Sequence, residues 1–154
     1  MSEDSVTDNQ RIKALQLLLR ADLLEKFLQK RFATHKRYSG EGSEALVLAL
    51  NSLLAEASTA QESKTATDYA VLGMPHRGRL ATLVVLNDFP MRNLLHKVAG
   101  NCEIPEEIHD RIDDMPTHIA VSNSKKFSLQ TGSAKSGNQK LTLTMVHNPS
   151  HLES

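Results

Sequence analysis

The chain reads as an α/β protein in which helices pack on an incomplete, mainly parallel sheet. Three observations predict this. Two short strand-like runs, 69–72 and 141–146, are separated by helical patterns instead of being joined by a hairpin turn. Each run ends in a polar turn bearing histidine, with His76 after the first and His147 and His151 after the second. In open α/β sheets ligands sit at the carboxyl ends of strands, so both turns belong to the edge where chemistry is expected. Two strands do not complete a sheet covered on both faces, and the architecture is therefore expected to be partial.

The elements follow in order. Residues 1–8 are a polar tail. Over 9–32, Ile12, Leu15, Leu19, Leu23 and Phe27 recur at three- and four-residue steps, with Leu18, Leu24 and Leu28 widening the stripe. This predicts an amphipathic helix that buries that face, capped by Thr7 or Asp8. Residues 36–44, with two glycines and two serines, read as a loop, and Ser43 caps a second helix to about Ala57 with Leu46, Leu50, Leu53 and Leu54 on its apolar side. A polar connector leads to the first strand. Leu80–Leu86 starts a third helix, Pro90 a fourth that stops at Gly100, and Pro105 a short charged one to Asp113. From Thr117 to Lys140 the composition is Ser, Lys, Asn and Gly, which reads as a long mobile loop. Leu141-Thr142-Leu143-Thr144-Met145-Val146 then alternates strictly, as a half-buried strand does.

Composition narrows the function. The 154 residues carry 18 basic and 18 acidic side chains, and this zero net charge argues against a phosphate-backbone partner. Aromatic residues at 4%, with no Trp, leave little for base stacking. The single cysteine, Cys102, excludes an internal disulfide. No apolar run approaches the roughly 20 residues that span a bilayer, so no membrane partner is expected.

The stretch 69–80, Tyr-Ala-Val-Leu-Gly-Met-Pro-His-Arg-Gly-Arg-Leu, is a strand, a tight turn and a helix start. Packing does not account for Arg77 and Arg79 so close behind a strand, because each costs desolvation unless it meets an anion. His76, Arg77 and Arg79 beside a helix amino terminus thus read as an anion site. A metal site is not expected: His147 and His151 are four apart, but Pro149 interrupts any shared helical face. Nor is a serine nucleophile, since Ser150 lacks a Gly-x-Ser-x-Gly elbow.

Three motifs occur in order: Lys36-Arg37-Tyr38-Ser39-Gly40-Glu41-Gly42, Gly73-Met74-Pro75-His76-Arg77-Gly78-Arg79-Leu80 and Asn148-Pro149-Ser150-His151-Leu152-Glu153. With them the chain resembles, over about residues 10–154, the thiamine-diphosphate-dependent decarboxylating first component of 2-oxoglutarate dehydrogenase complexes. Tyr38-Ser39-Gly40, Asp88-Phe89-Pro90 and Ile104-Pro105-Glu106 are similar to the sister branch, the 2-oxoadipate dehydrogenases of lysine and tryptophan breakdown. The resemblance implies that Gly40, where the oxoglutarate enzymes carry Leu, enlarges the pocket for a substrate one methylene longer.

The resemblance implies a partial thiamine-diphosphate-binding fold, one partial cofactor domain over 9–154 truncated at its carboxyl end. It implies decarboxylation of a 2-oxo dicarboxylate and transfer of the acyl group to lipoamide. The cofactors would be thiamine diphosphate and magnesium. His76, His118 and His151 match catalytic histidines, the first two also facing the cofactor. Tyr38, Arg77, Arg79 and Ser122 match the substrate side. The implied partners are a second copy, a lipoyl-bearing acyltransferase second component and dihydrolipoamide dehydrogenase, in the mitochondrial matrix of a eukaryote or otherwise the cytoplasm. Two departures stand out: Asp113-Asp114-Met115-Pro116-Thr117 replaces the family's Gly-Asp-Val before His118, and no Gly-Asp-Gly…Asn run for magnesium and diphosphate occurs. The isolated chain is therefore expected to be inactive. The alternatives are a non-catalytic module that packs with longer subunits, or a gene-model fragment without independent function.

Overall fold

A computed structural model describes residues 6–33, 39–59, 66–101, 115–127 and 140–148. Its helices are α1 (Asp8–Arg31), α2 (Leu46–Thr59), α3 (Arg79–Val85) and α4 (Met91–Val98). The strands are β1 (Tyr69–Leu72), β2 (Val121–Lys125) and β3 (Leu141–Met145), and a 3-10 turn over Pro116–His118 precedes β2. The expected helix over 105–113 and the residues Tyr38, Cys102, Ser150 and His151 lie outside the described residues.

Helix α3 is the centre of the packing. Every residue from Arg79 to Val85 is buried, and its apolar side chains feed two adjoining clusters. Ala81 and Val85 meet Ala21, Val47, Leu54, Leu141 and Leu143 on one side. Leu80, Leu83 and Val84 meet Leu24, Met74, Leu94, Val98 and Met145 on the other. Each fully buried aliphatic side chain contributes about 1.5–3 kcal/mol, so seven residues of helix tie α1, α2, α4 and the sheet together. Gly78 caps α3 in the left-handed region at φ 68°, a conformation that L side chains rarely adopt.

The sheet has the order β1-β3-β2. β1 runs parallel to β3, with Tyr69 opposite Thr142 and Leu72 opposite Met145. β2 is antiparallel to β3, with Val121 opposite Met145 and Lys125 opposite Leu141. The α/β class holds, with one parallel and one antiparallel pair. β2 corrects the reading of 117–140 as a single loop. Its strand pairing does not depend on an apolar stripe. Ser122 and Ser124 bond the hydroxyls of Thr144 and Thr142 at 2.8 and 2.6 Å, while Asn123 donates to the Asn87 carbonyl at 3.1 Å.

Register gives the sheet two unlike faces. Ala70, Leu72, Leu141, Leu143 and Met145 turn toward the helices. Tyr69 and Val71, in register with Thr142 and Thr144, belong to the other face and are 75% and 72% exposed.

Helix α1 begins at Asp8, capped by Thr7 as one of the two expected candidates, and Gln10 completes a capping box. Its buried face is a correction. Ala21 and Leu24 are buried, and Leu17, Leu28 and Phe32 pack beside them. The stripe Ile12, Leu15, Leu19, Leu23 and Phe27 is exposed. The helix is apolar on two sides, and small Ala21 lets the opposite side approach α3 closely. In α2 the buried line runs through Val47, Leu54 and Ala55, leaving Leu53 64% exposed against expectation. Among the described residues no helix is long and apolar enough to cross a membrane.

Candidate functional site

Three chain segments meet at the edge where β1 and β3 end and antiparallel β2 begins. Residues 73–78 leave β1, 146–148 leave β3, and 115–120 enter β2. His76, His118, His147 and Asn148 all lie on these segments. Topology alone thus brings together histidines that are up to 71 residues apart in the chain.

Arg79 fastens this edge. It is fully buried, and its Nη1 donates to the Met74 carbonyl at 2.8 Å. Nη2 donates to the carbonyls of Ile119 at 2.7 Å and Val146 at 2.6 Å. One guanidinium therefore bonds all three segments. Its Nε has no partner among the described residues, and burial lowers its pKa below the ordinary arginine value. The hydrogen bonding that the sequence reading assigned to an anion is supplied here by backbone oxygens. Arg79 faces into the protein.

Arg77 is the exposed cation of the pair. Its Nη1 donates to the Glu41 carbonyl at 3.0 Å, joining the His76 turn to the loop after Ser39. That loop is held from behind by Glu25. Its carboxylate accepts the Ser39 hydroxyl at 2.7 Å and the Gly40 amide at 2.8 Å. Gly40 and Gly78 lie backbone to backbone: a methyl built on Gly40 would stand 3.8 Å from the Gly78 Cα.

His76 is exposed, and its Nδ1 lies 3.4 Å from the Nδ2 of Asn148, which is only 2% exposed. An amide donating to Nδ1 sets the neutral ring's proton on Nε2. His118 is half-buried, and its backbone carbonyl meets the Nδ1 of His147 at 2.7 Å. Ser122 is the second residue of β2, with its hydroxyl engaged by Thr144 on the exposed face. The structure thus gathers His76, Arg77, Arg79 and His118 at one edge, places Ser122 beside it, and leaves Tyr38 and His151 outside the described residues. Asn148, His147 and Glu25 are additions. Asn148 was quoted only as part of a motif, and nothing in the periodicity of α1 distinguishes Glu25.

A separate cleft of about 320 Å³ opens between α1, the 39–46 loop and α2, lined in part by Leu18, Ala21, Gly40 and Val47. Its charged lining is Asp22, Glu25, Glu41 and Glu44 against Lys26. That surplus repels a dicarboxylate, whereas the sheet edge offers a free-facing cation and imidazoles. Among the described residues no group of three or more His, Cys, Asp or Glu is placed to hold a metal ion.

No protein-family model matches the chain. Curated proteins do. A probable 2-oxoadipate dehydrogenase complex component E1 homolog of Dictyostelium discoideum is 32% identical over 154 residues, all of this chain and 16% of that protein. The Caenorhabditis elegans protein of the same description is 35% identical over 138 residues, 90% of this chain and 14% of that one. The 2-oxoadipate dehydrogenase complex component E1 of Mus musculus is 34% identical over 154 residues, all of this chain and 15% of its own length. The chain thus spans only 14–16% of these relatives.

Proposed function

The chain is homologous along all 154 residues to a segment of the 2-oxoadipate dehydrogenase complex E1 components, and from that premise we propose that its histidine-bearing sheet edge is the substrate-facing part of a thiamine-diphosphate site for a 2-oxo dicarboxylate. The observation that carries the reading is the convergence of His76 and His118, from segments 42 residues apart, on one edge fastened by Arg79.

The residues divide the work. Arg77 supplies the positive charge for a substrate carboxylate. His76, with its proton on Nε2, donates to a carbonyl or carboxylate oxygen, and His118 manages a second proton position. Arg79 positions the edge, and Glu25 holds the loop at Ser39 and Gly40; Tyr38 joins the site by motif. His151 and Ser122 complete the site by motif. Thiamine diphosphate, when bound, supplies the electron sink for loss of carbon dioxide. The described residues offer histidines and amides to the substrate side of that cofactor. They offer no carboxylate cluster for magnesium, so the grip on metal and diphosphate is assigned to other parts of a longer protein. In such a protein the acyl group passes to lipoamide on a second component, with dihydrolipoamide dehydrogenase closing the cycle. The assembly is a homodimer, matrix-located in a eukaryote. The kinship with 2-oxoadipate dehydrogenase components favours 2-oxoadipate over 2-oxoglutarate as the substrate.

The test is a chimaera in which residues 10–154 replace the matching segment of a whole E1 component. It should decarboxylate 2-oxoadipate, and His76→Ala should lower kcat/KM about 10²–10⁴-fold, whereas His96→Ala on α4 should change it little. Equal losses at both histidines with folding intact would refute the assignment. The 154-residue chain with thiamine diphosphate, magnesium and an artificial electron acceptor should show no turnover above its own His76→Ala variant. A second reading, a non-catalytic module that packs on longer subunits, is favoured by the exposed apolar stripe of α1. It predicts a chimaera that assembles but is inactive.

A further inference from the structure

His147 was named above for its turn and weighed as half of a metal pair; its ring also bonds the segment that carries His118. A carbonyl oxygen only accepts, so the 2.7 Å contact from His147 Nδ1 to the His118 carbonyl requires a proton on Nδ1. In the neutral ring Nε2 is then a bare lone pair. The ring is exposed, and no other partner of it is recorded among the described residues. His76, on the neighbouring strand exit, has the opposite arrangement, with Nδ1 facing the Asn148 amide. We propose that His147 is a positioning residue of this edge, which fixes His118 through the backbone and presents Nε2 as a proton acceptor, complementary to the Nε2–H of His76.

The geometry supports both parts. His118 closes the 3-10 turn, its amide donating to the Met115 carbonyl at 2.9 Å, and its carbonyl faces His147. The next carbonyl, that of Ile119, is held by Arg79. Two successive peptide oxygens beside His118 are therefore fixed from β3 and α3, which fixes where the His118 ring leaves the backbone. The bond from His147 uses Nδ1 and leaves a lone pair on Nε2, so it also places a proton-accepting nitrogen at the same edge. The proposal takes the role of His118 from the proposed function, but its test needs no catalysis.

The test uses the whole 154-residue chain with nitrogen-15-labelled histidine. Long-range proton–nitrogen correlation above pH 8 should show His147 with its proton on Nδ1. A ring protonated mainly on Nε2 would overturn the proposal. Asn places an N–H where Nδ1 stands and Gln places one where Nε2 stands, so the two amides separate the contact from mere bulk. His147→Asn should leave the His118 ring signals and amide exchange as in the parent. His147→Gln and His147→Ala should shift the ring signals and speed exchange of the His118 amide about two- to tenfold, the loss of one hydrogen bond. Identical behaviour of Asn and Gln variants, or unmoved His118 signals in a folded His147→Ala variant, would overturn it. An inactive chimaera with the expected tautomer would instead reject the proposed function and leave this contact standing.

Discussion

Arg79 carries a full positive charge into the interior and, among the described residues, meets three carbonyl oxygens and no carboxylate. Such a group stabilises only while its partners stay in place, because removing it orphans acceptors from three segments at once. Arg79→Met is expected to cost at least about 3 kcal/mol, as each unsatisfied buried acceptor is worth about 1–3 kcal/mol. Arg79→Lys should recover only part of this, since an ammonium lacks the planar fork that spans Met74, Ile119 and Val146. Urea unfolding of the two variants beside Arg77→Met, an exposed change expected within about 1 kcal/mol, checks the contrast, and equal midpoints would contradict it. The glycines make a second pair. Gly78→Ala forces a side chain into φ 68° and should cost about 1–2 kcal/mol. Gly40→Ala should cost less, because its methyl meets Glu25 Oε1 at 3.4 Å, an ordinary contact. Composition made Arg77 and Arg79 look alike in the sequence. What separates them is one helical position: Arg79 begins the buried turn of α3, whereas Arg77 precedes it on the exposed bend. His76 was legible from an ordered motif at a strand end, whereas His118 fell in a stretch read as a loop, and its arrival at the same edge follows from β2.

At the scale of elements, α1 shows where periodicity stops being informative. Leucine and phenylalanine occupy both sides of the helix, so spacing fixes the helix but not the side that packs. The choice follows from contact with α3: the line through Leu17, Ala21, Leu24 and Leu28 presents a small residue at the closest approach. Leu24→Ala is therefore expected to cost about 2–5 kcal/mol. Leu23→Ala, at 62% exposure, should stay within about 0.5 kcal/mol. Denaturant titration of the two neighbours decides which face is inside, and the reverse ranking would overturn the packing described. β2 escaped the sequence reading for a different reason. Val121-Ser122-Asn123-Ser124-Lys125 has no apolar alternation, and its strand state comes from β3 beside it and from Asn87, whose amide bonds the Val121 carbonyl at 3.2 Å. Strands of that kind are set by neighbours that no local window contains. β3, by contrast, alternates in sequence and in burial alike.

The molecule as a whole has one buried side and one open side. The helices cover the Leu72, Leu143 and Met145 face of the sheet, while Tyr69 and Val71 stand on the other face with no described element over them. Among the described residues β1 is also an edge strand, with β3 on one flank only. Parallel strands normally have both faces covered and neighbours on both flanks. The exposed stripe of α1 adds a second apolar surface on the far side of the core. Exposed apolar faces together with an unpaired strand edge favour contact between chains. The 154-residue chain is accordingly expected to self-associate as its concentration rises, with a stability toward or below the lower end of the ~5–15 kcal/mol usual for single domains. The two surfaces can be told apart by substitution. Val71→Lys places a charge on the open sheet face without touching the core, and Leu19→Lys with Leu23→Lys does the same for the stripe. Light scattering against concentration, read beside urea unfolding, should show less association in each variant and midpoints close to the parent. A parent chain that stays monodisperse across the series and unfolds cooperatively with more than about 8 kcal/mol would show that these open surfaces need no cover and that the sheet is complete as three strands.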